Sequence, residues 1–316
     1  MIHSICAIVI NWNLAPMTVA CVQSLLSAHL AQKGAPKSKP RAALRQIIVV
    51  DNGSADDSIA ILESKLGSLV ELIASPQNIG FAGGNNLAIQ HALKSGADWL
   101  LLINNDTYVA TDFFEQLAIA HAAHPEWSLM APLILYDPNV PGNPENTIWS
   151  LGDRLLPGTL ITRGLWRNRS VPADLPAFID VDFLNACALL IHRTVFEKIG
   201  LFDTSYFMYA EDVDFCWRAR LADFKMGCAT GARMWHKVSA STGVHHPQSR
   251  YWRTSNQIRF YRRYATVWQR PLLFAFTAAR TLLTMARDLV QGRTDAAQST
   301  GRGWLDGWFH DAQRVG

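Results

Sequence analysis

Three times in the first 110 residues, a strand-length apolar run breaks off into polar side chains and gives way to a helix-length stretch. The runs are "ICAIVINWN" (residues 5–13), "QIIVVDNGSADDS" (46–58) and "WLLLINNDTYV" (99–109). Continuous apolar runs of this length read as strands buried on both faces, the pattern of a mostly parallel sheet. Helical stretches follow them at 16–32, near 57–66 and at 111–123. A further strand, "VELIASPQN", leads into the glycine-rich opening of another helix, "GFAGGNNLAIQHALKSG". Strands alternating with helices at this spacing mean βαβ units. The fold class is α/β, a Rossmann-like sheet flanked by helices. Asn and Asp at strand ends are ordinary turn formers. They also stand where open α/β sheets bind ligands, outside the carboxyl ends of the strands.

Downstream the pattern loosens. Residues 33–45, "KGAPKSKPRAALR", read as a surface loop, and 125–180 as an irregular, Pro- and Gly-rich region facing substrate. "VDFLNACALLIHRTVFEKIG" then gives a strand and a helix. "FMYAEDVDFCWRARLADF" is a loop opening into a helix, and "KMGCATGARMWHKVSAST" is a strand that delivers His236. The five cysteines show no CxxC spacing and read as buried free thiols. With no basic leader, no cleavage site and no membrane-length span near the N-terminus, a cytoplasmic protein is expected.

Net charge +3 conceals an asymmetry. Residues 241–316 hold 11 Arg and no Lys against 4 Asp and no Glu, a surplus of +7 that leaves −4 for residues 1–240. An arginine-rich tail on an acidic body faces something anionic. No zinc-finger spacing or RNP-type aromatic signature is present, so nucleic acid is not the expected partner. On a helical wheel, residues 272–290 place Leu272, Phe274, Phe276, Leu282, Leu283, Met285, Leu289 and Val290 on one broad face. Thr277, Arg280, Thr284 and Arg287 line the opposite stripe. Arginines beside aromatics on such a helix suit a membrane surface. Packing on the catalytic body or on a second copy, as a homodimer, is the alternative.

Polar groups that can do chemistry stand at comparable places: Asp51 and Asp106 past strands, Glu211-Asp212 before a helix, His236 near the end of the last strand. Each has an ordinary structural role. Asp51 can cap a turn, and His236 can be a core histidine. Glu211, Asp212 and Asp214 can be helix N-terminal charges, with Asp214 pairing Arg218 one turn on. Order and spacing shift the balance. "IVVDNGSADDS", "NIGFAGGNN", "INNDTYV", "YAEDVDFCWRAR" and "H…S.ST.G", in that order, resemble the inverting family 2 glycosyltransferases of GT-A fold. The nearest likeness is the rhamnosyltransferase and galactofuranosyltransferase-like branch that builds bacterial surface glycans. The likeness runs from about Ile5 to about Tyr264.

The resemblance implies a catalytic domain over 1–240, its nucleotide-sugar half about 1–110 and its acceptor half about 111–240, with a basic helical extension over 241–316. Asp51 matches the carboxylate that binds the nucleotide base. Asn11, Asn78, Gly80, Gly84, Asn85, Asn86, Asn104 and Asn105 fall on the donor side. Asp106 ends the DxD equivalent that holds a divalent cation, Mg²⁺ or Mn²⁺, with His236 as a further ligand. Asp212 matches the catalytic base, with Glu211 the alternative. Three departures stand out. Asn104 replaces the first carboxylate of the DxD, Ala88 and Ala186 stand where relatives often have Gly, and the 33–45 loop is longer than usual. By likeness the donor is a nucleotide-sugar, dTDP-rhamnose for choice, and the acceptor a cell-envelope or lipid-linked glycan. That places the protein in the cytoplasm or at the inner face of the cell membrane.

Other classes fit less well. A nicotinamide dehydrogenase needs G-x-G-x-x-G after the first strand, where this chain has "INWNLAP". A nucleotidyltransferase would carry a Gly-rich, Arg/Lys-bearing loop there. A non-catalytic nucleotide-sugar-binding or scaffold protein would not need Asp212.

Overall fold

A computed structural model describes residues 2–32, 40–238 and 246–310. In chain order the elements are β1 (Ile2–Asn11), α1 (Ala15–Ala31), β2 (Ala42–Asn52), α2 (Ser58–Leu66), β3 (Glu71–Ser75), α3 (Gly80–Lys94), β4 (Trp99–Asn104), β5 (Thr107–Val109) and α4 (Phe113–Ala123). There follow β6 (Trp127–Tyr136), β7 (Ile148–Ser150), β8 (Asp153–Leu155), β9 (Thr162–Gly164), β10 (Phe178–Asp180), β11 (Ala188–His192), α5 (Arg193–Ile199), α6 (Glu211–Leu221) and β12 (Lys225–His236). Helices α7 (Pro247–Tyr264), α8 (Gln269–Val290) and α9 (Thr294–Phe309) complete the described chain.

The main sheet runs β10-β12-β6-β11-β4-β1-β2-β3. β3, β2, β1 and β4 are mutually parallel, and so are β6 and β12; β11 runs antiparallel between the two groups. β4 shows why its sequence is apolar throughout. Leu100 and Leu102 enter the core on one face, with α3, α6 and α7, whereas Leu101 and Ile103 enter the other, with α1, α2 and α4. Successive strand residues point to opposite faces, so a sheet covered on both sides needs apolar residues at every position.

Two expectations change. The region 125–180 is not irregular from its start, because Trp127–Tyr136 is a ten-residue strand inside the sheet. Pro132 disguises it. The pairing register jumps from Pro132↔Ala229 to Leu133↔Arg233, so the proline sits at an irregularity in β12 where no ladder donor is required of it. Likewise the loop read over 33–45 ends sooner, since β2 begins at Ala42; residues 33–39 lie outside the described residues. All five cysteines are free and buried.

The boundary placed at residue 240 also lies outside the described residues. The first helix beyond it is built into the main core, where Ile258, Phe260 and Tyr261 are buried. α9 lies close against α7, and glycine is what allows it. A Cβ at Gly303 would come within 2.7 Å of the Tyr251 carbonyl oxygen, and one at Gly307 within 2.8 Å of Ile258 Cβ.

α8 packs the reverse way from the wheel's apolar face. Leu273, Thr277, Thr281 and Asp288 are buried, while Leu272, Leu282, Leu283, Leu289 and Val290 are exposed. Two of the polar groups turned inward have partners. Thr277 Oγ1 accepts from the indole N–H of Trp304 and Trp308, and Asp288 takes Arg250 at 2.9 Å.

Candidate active site

β4 ends at Asn104, and the chain turns through Asn105-Asp106 into β5, which pairs antiparallel with the end of β12. That pairing sets His236 opposite Thr107, beside Asp106. His236 Nε2 lies 3.1 Å from Asp106 Oδ1, and both side chains are nearly buried. The Lys237 amide donates to the Asp106 carbonyl, fixing the turn from the other side. The Trp149 ring meets the imidazole edge-on at 4.5 Å. His236 Nδ1 is buried without a hydrogen-bond partner among the described residues.

The same turn faces a cavity of about 620 Å³ whose opposite wall is the start of α6. Asp106, His236, Glu211 and Asp212 all line it. Asp212 is held by two amides, Ala186 N–H to Oδ2 at 3.2 Å and Val213 N–H to Oδ1 at 2.8 Å. Glu211 lies deeper, with Oε2 unpartnered among the described residues. Burial, then the neighbouring Asp212 charge, pushes the Glu211 carboxyl well above its ordinary range. Burial also raises Asp212, opposed by its two amide hydrogen bonds. Glu211 has the larger burial and no balancing side-chain partner among the described residues, whereas two amides favour the charged form of Asp212.

The turn before α6 is strained. Tyr209 and Ala210, neither of them glycine, both have left-handed backbones, φ +69° and +70°. It is held from α7, where the Asn256 side-chain amide donates to the carbonyls of Met208 (2.8 Å) and Tyr209 (3.3 Å). Asp214, fully buried, accepts from Arg218 at 2.7 Å as the spacing predicts, and also from Tyr264 of α7 at 2.8 Å. Two links tie this turn to α3. Asn86 and Phe202 exchange a pair of hydrogen bonds, and Phe81 N–H donates to Phe207 O at 2.8 Å. Gly80, at φ +77°, is required there, since a Cβ would reach 2.4 Å from that same oxygen.

The match to a known family covers the chain from β1 to α5. Residues 6–200 fit the family model described as glycosyl transferase family 2. The chain belongs to that family. A low-salt glycan biosynthesis hexosyltransferase, Agl10, of Haloferax volcanii is 29% identical over 188 residues, 58% of this chain and 55% of the relative. An N-acetylglucosaminyl-diphospho-decaprenol L-rhamnosyltransferase of Mycobacterium tuberculosis is 27% identical over 214 residues, 62% of this chain and 68% of the relative. The chain thus spans about half the length of the first relative and two thirds of the second. A mannosyltransferase from Pyrobaculum calidifontis, solved with GDP-Man and Mn²⁺, superposes with TM-score 0.54 at 14% identity, covering 98% of this chain and 88% of that one. The fold is GT-A, and the relatives agree with the rhamnosyltransferase-like branch.

Within this family 2 chain, the residues singled out from sequence divide into two groups. Asn78, Asn85, Asn104, Asn105, Asp106, Glu211, Asp212 and His236 line the one cavity. Asn11, Asp51, Gly80, Gly84 and Asn86 do not line it. Asp51 is fully buried, and its carboxylate accepts from Asn11 Nδ2 (2.8 Å), Ser54 N–H (3.0 Å) and Ser54 Oγ (2.7 Å). The group that reaches the cavity there is the next residue, Asn52, which also donates to Asn78 and to the Gly80 carbonyl. Ala186 supplies one of the two amides that hold Asp212. Sequence reasoning missed Trp12, Trp149 and Arg167 on the cavity wall, and Arg253, Gln257 and Arg280 from beyond residue 240. The arginine surplus of that segment was the available signal for the last group.

Asp106 and His236 fit a divalent cation. Two cis ligands of an octahedral ion at its usual contact distance stand ~3 Å apart, and the observed gap is 3.1 Å. A carboxylate with an imidazole suits Mn²⁺ better than Mg²⁺. No third His, Cys, Asp or Glu joins them among the described residues, so oxygens of a bound diphosphate and water would have to complete the shell. Burial pushes the nearby Cys21 thiol up to about 12 and raises Cys187 likewise.

Proposed function

We propose that the protein is an inverting glycosyltransferase. It would move a sugar, rhamnose from dTDP-rhamnose by preference, from a nucleotide-diphosphate donor to a hydroxyl of a cell-envelope or lipid-linked glycan. The observation that carries the reading is the single cavity flanked by the Asp106–His236 pair and Asp212. The first is a place for a diphosphate with its cation, the second a place for a proton acceptor. The family match and the relatives named hexosyltransferase and rhamnosyltransferase support the same reaction class.

In this mechanism the acceptor hydroxyl attacks the anomeric carbon while Asp212 takes its proton, and the bond from that carbon to the diphosphate oxygen breaks. One carboxylate suffices for a single displacement, and a positioned base contributes ~10²–10⁴-fold. The amides of Ala186 and Val213 orient Asp212, and Glu211, its carboxyl raised by burial, lies behind it. Asp106 and His236 would hold Mn²⁺ or Mg²⁺, which when bound neutralises charge on the departing diphosphate.

Thermal-shift measurements with UDP-, dTDP- and GDP-sugars, in Mn²⁺ and in chelator, test the reading, followed by NMR of the product made from the responding donor. One nucleotide-sugar should stabilise the protein in Mn²⁺ alone and give product of inverted anomeric configuration. A product of retained configuration, or no response to any donor, would contradict it.

A further inference from the structure

The outward face of α8 lacks the composition of a surface meant for water. Leu272, Ala275, Phe276, Ala279, Leu282, Leu283, Ala286, Leu289 and Val290 recur at helical spacing with no charged residue among them. Leu283 is 73% and Val290 89% exposed. At the start of the helix Val267 and Trp268 are exposed too, the latter at 88%. A continuous exposed apolar arc of this kind marks an interaction surface. Its rim is cationic. Arg280 and Arg287 border one edge, and Arg270 is exposed near the first turn. Two nearby acids are already engaged, Asp288 by Arg250 and Arg293, and Asp306 by Tyr251, Arg302 and His310, while Asp295 at the start of α9 is exposed.

We propose that this face of α8 lies in the interfacial layer of an anionic lipid surface. Charge decides between that occupant and a second copy of the chain. Self-docking about a two-fold axis would bring two segments of surplus +7 against each other. Anionic headgroups complement the same rim. Among the described residues no helix is long and apolar enough to cross a membrane, so the contact lies in the plane of the surface. Arg280 ties the face to the catalytic cavity. It stands at the edge of the apolar arc, touches the Phe276 ring, hydrogen-bonds Gln257 and lines the cavity wall. Docking through α8 therefore sets the cavity mouth at headgroup level, where a lipid-linked acceptor presents its sugar. That use rests on the proposed function, whereas the docking itself rests on α8 alone.

Co-sedimentation of the full chain with phosphatidylglycerol–phosphatidylcholine vesicles tests it, beside phosphatidylcholine vesicles and with light scattering for oligomeric state. The parent should bind the anionic vesicles at low salt and release as salt rises. Leu282→Glu with Leu283→Glu, both at exposed positions, should keep the parent's melting temperature and lose binding by about tenfold or more. Arg287→Glu should lose roughly fivefold. No binding by the parent, unchanged binding by the double variant, or a parent dimer that the double variant dissociates would overturn the proposal. Donor-induced stabilisation of the same proteins reports on the catalytic reading separately, so either reading can fail alone.

Discussion

β4 and α8 both carry paired or tripled leucines and use most of them in opposite ways. In β4 every apolar side chain from Trp99 to Ile103 is buried between two helical layers. In α8 four of the five leucines face outward, and Leu273, Thr277, Thr281 and Asp288 face the protein. Hydrophobic periodicity therefore says where an element's apolar face is, and a second fact is needed to say what that face meets. For β4 the second fact is that both neighbouring layers belong to the same chain. For α8 it is that the inward Thr277 and Asp288 already have internal partners, so nothing forces the apolar arc inward.

The largest effect expected on the site side comes from Asp106→Ala. It should lower transfer by a factor on the order of 10³ or more and abolish Mn²⁺-dependent donor stabilisation, since it removes one of the two proposed cation ligands. Initial rates and thermal shifts with the responding donor check it; wild-type rates would break the link between the β4 terminus and the diphosphate. On the stability side, Leu101→Ala should cost about 2–5 kcal/mol by leaving a cavity in a sealed core, read from urea midpoints. Gly307→Leu should cost about 1–3 kcal/mol by forcing α9 off α7; a smaller loss would mean that α9 re-seats freely. Leu283→Ala, the same residue type as Leu101 but outward on α8, should change stability by under about 0.5 kcal/mol. Equal costs at Leu101 and Leu283 would erase the contrast.

Much of the sheet and half of the site were legible because strand ends concentrate the evidence. An apolar run fixes β4, and the break at Asn104-Asn105-Asp106 fixes where its ligand-facing edge lies. His236 followed from the end of β12. The pairing between Asp106 and His236 did not, because it needs β5 to run antiparallel to β12. β6 was hidden by Pro132, which is tolerated only where β12 shifts register. Asp51 matched a motif, yet its carboxylate is engaged by Asn11 and Ser54, and no local pattern distinguishes a side chain aimed at a cavity from one aimed at its own turn. The contribution of Arg253, Gln257 and Arg280 was out of reach for the same reason: it depends on α7 packing against α6 and on α8 packing against α7. The inward Thr277 was illegible until Trp304 and Trp308 were seen donating to it.

The assignment of Asp212 as the proton acceptor at the shared cavity is tested most directly by the pH profile of kcat for the parent, Asp212→Asn and Glu211→Gln. Burial raises both carboxyls, so the folded state holds protons more tightly than the unfolded chain. Their contribution to stability is present at acid pH and is lost as pH rises through the raised values. Activity runs the other way, because a base must be ionised: kcat should fall as pH drops through a limb lying above the range of an ordinary aspartate. At neutral pH, Asp212→Asn should lower kcat by a factor on the order of 10² or more while keeping donor-induced stabilisation. Glu211→Gln should stay the more active of the two. An Asp212→Asn enzyme with parental kcat, or one that outperforms Glu211→Gln, would contradict the account.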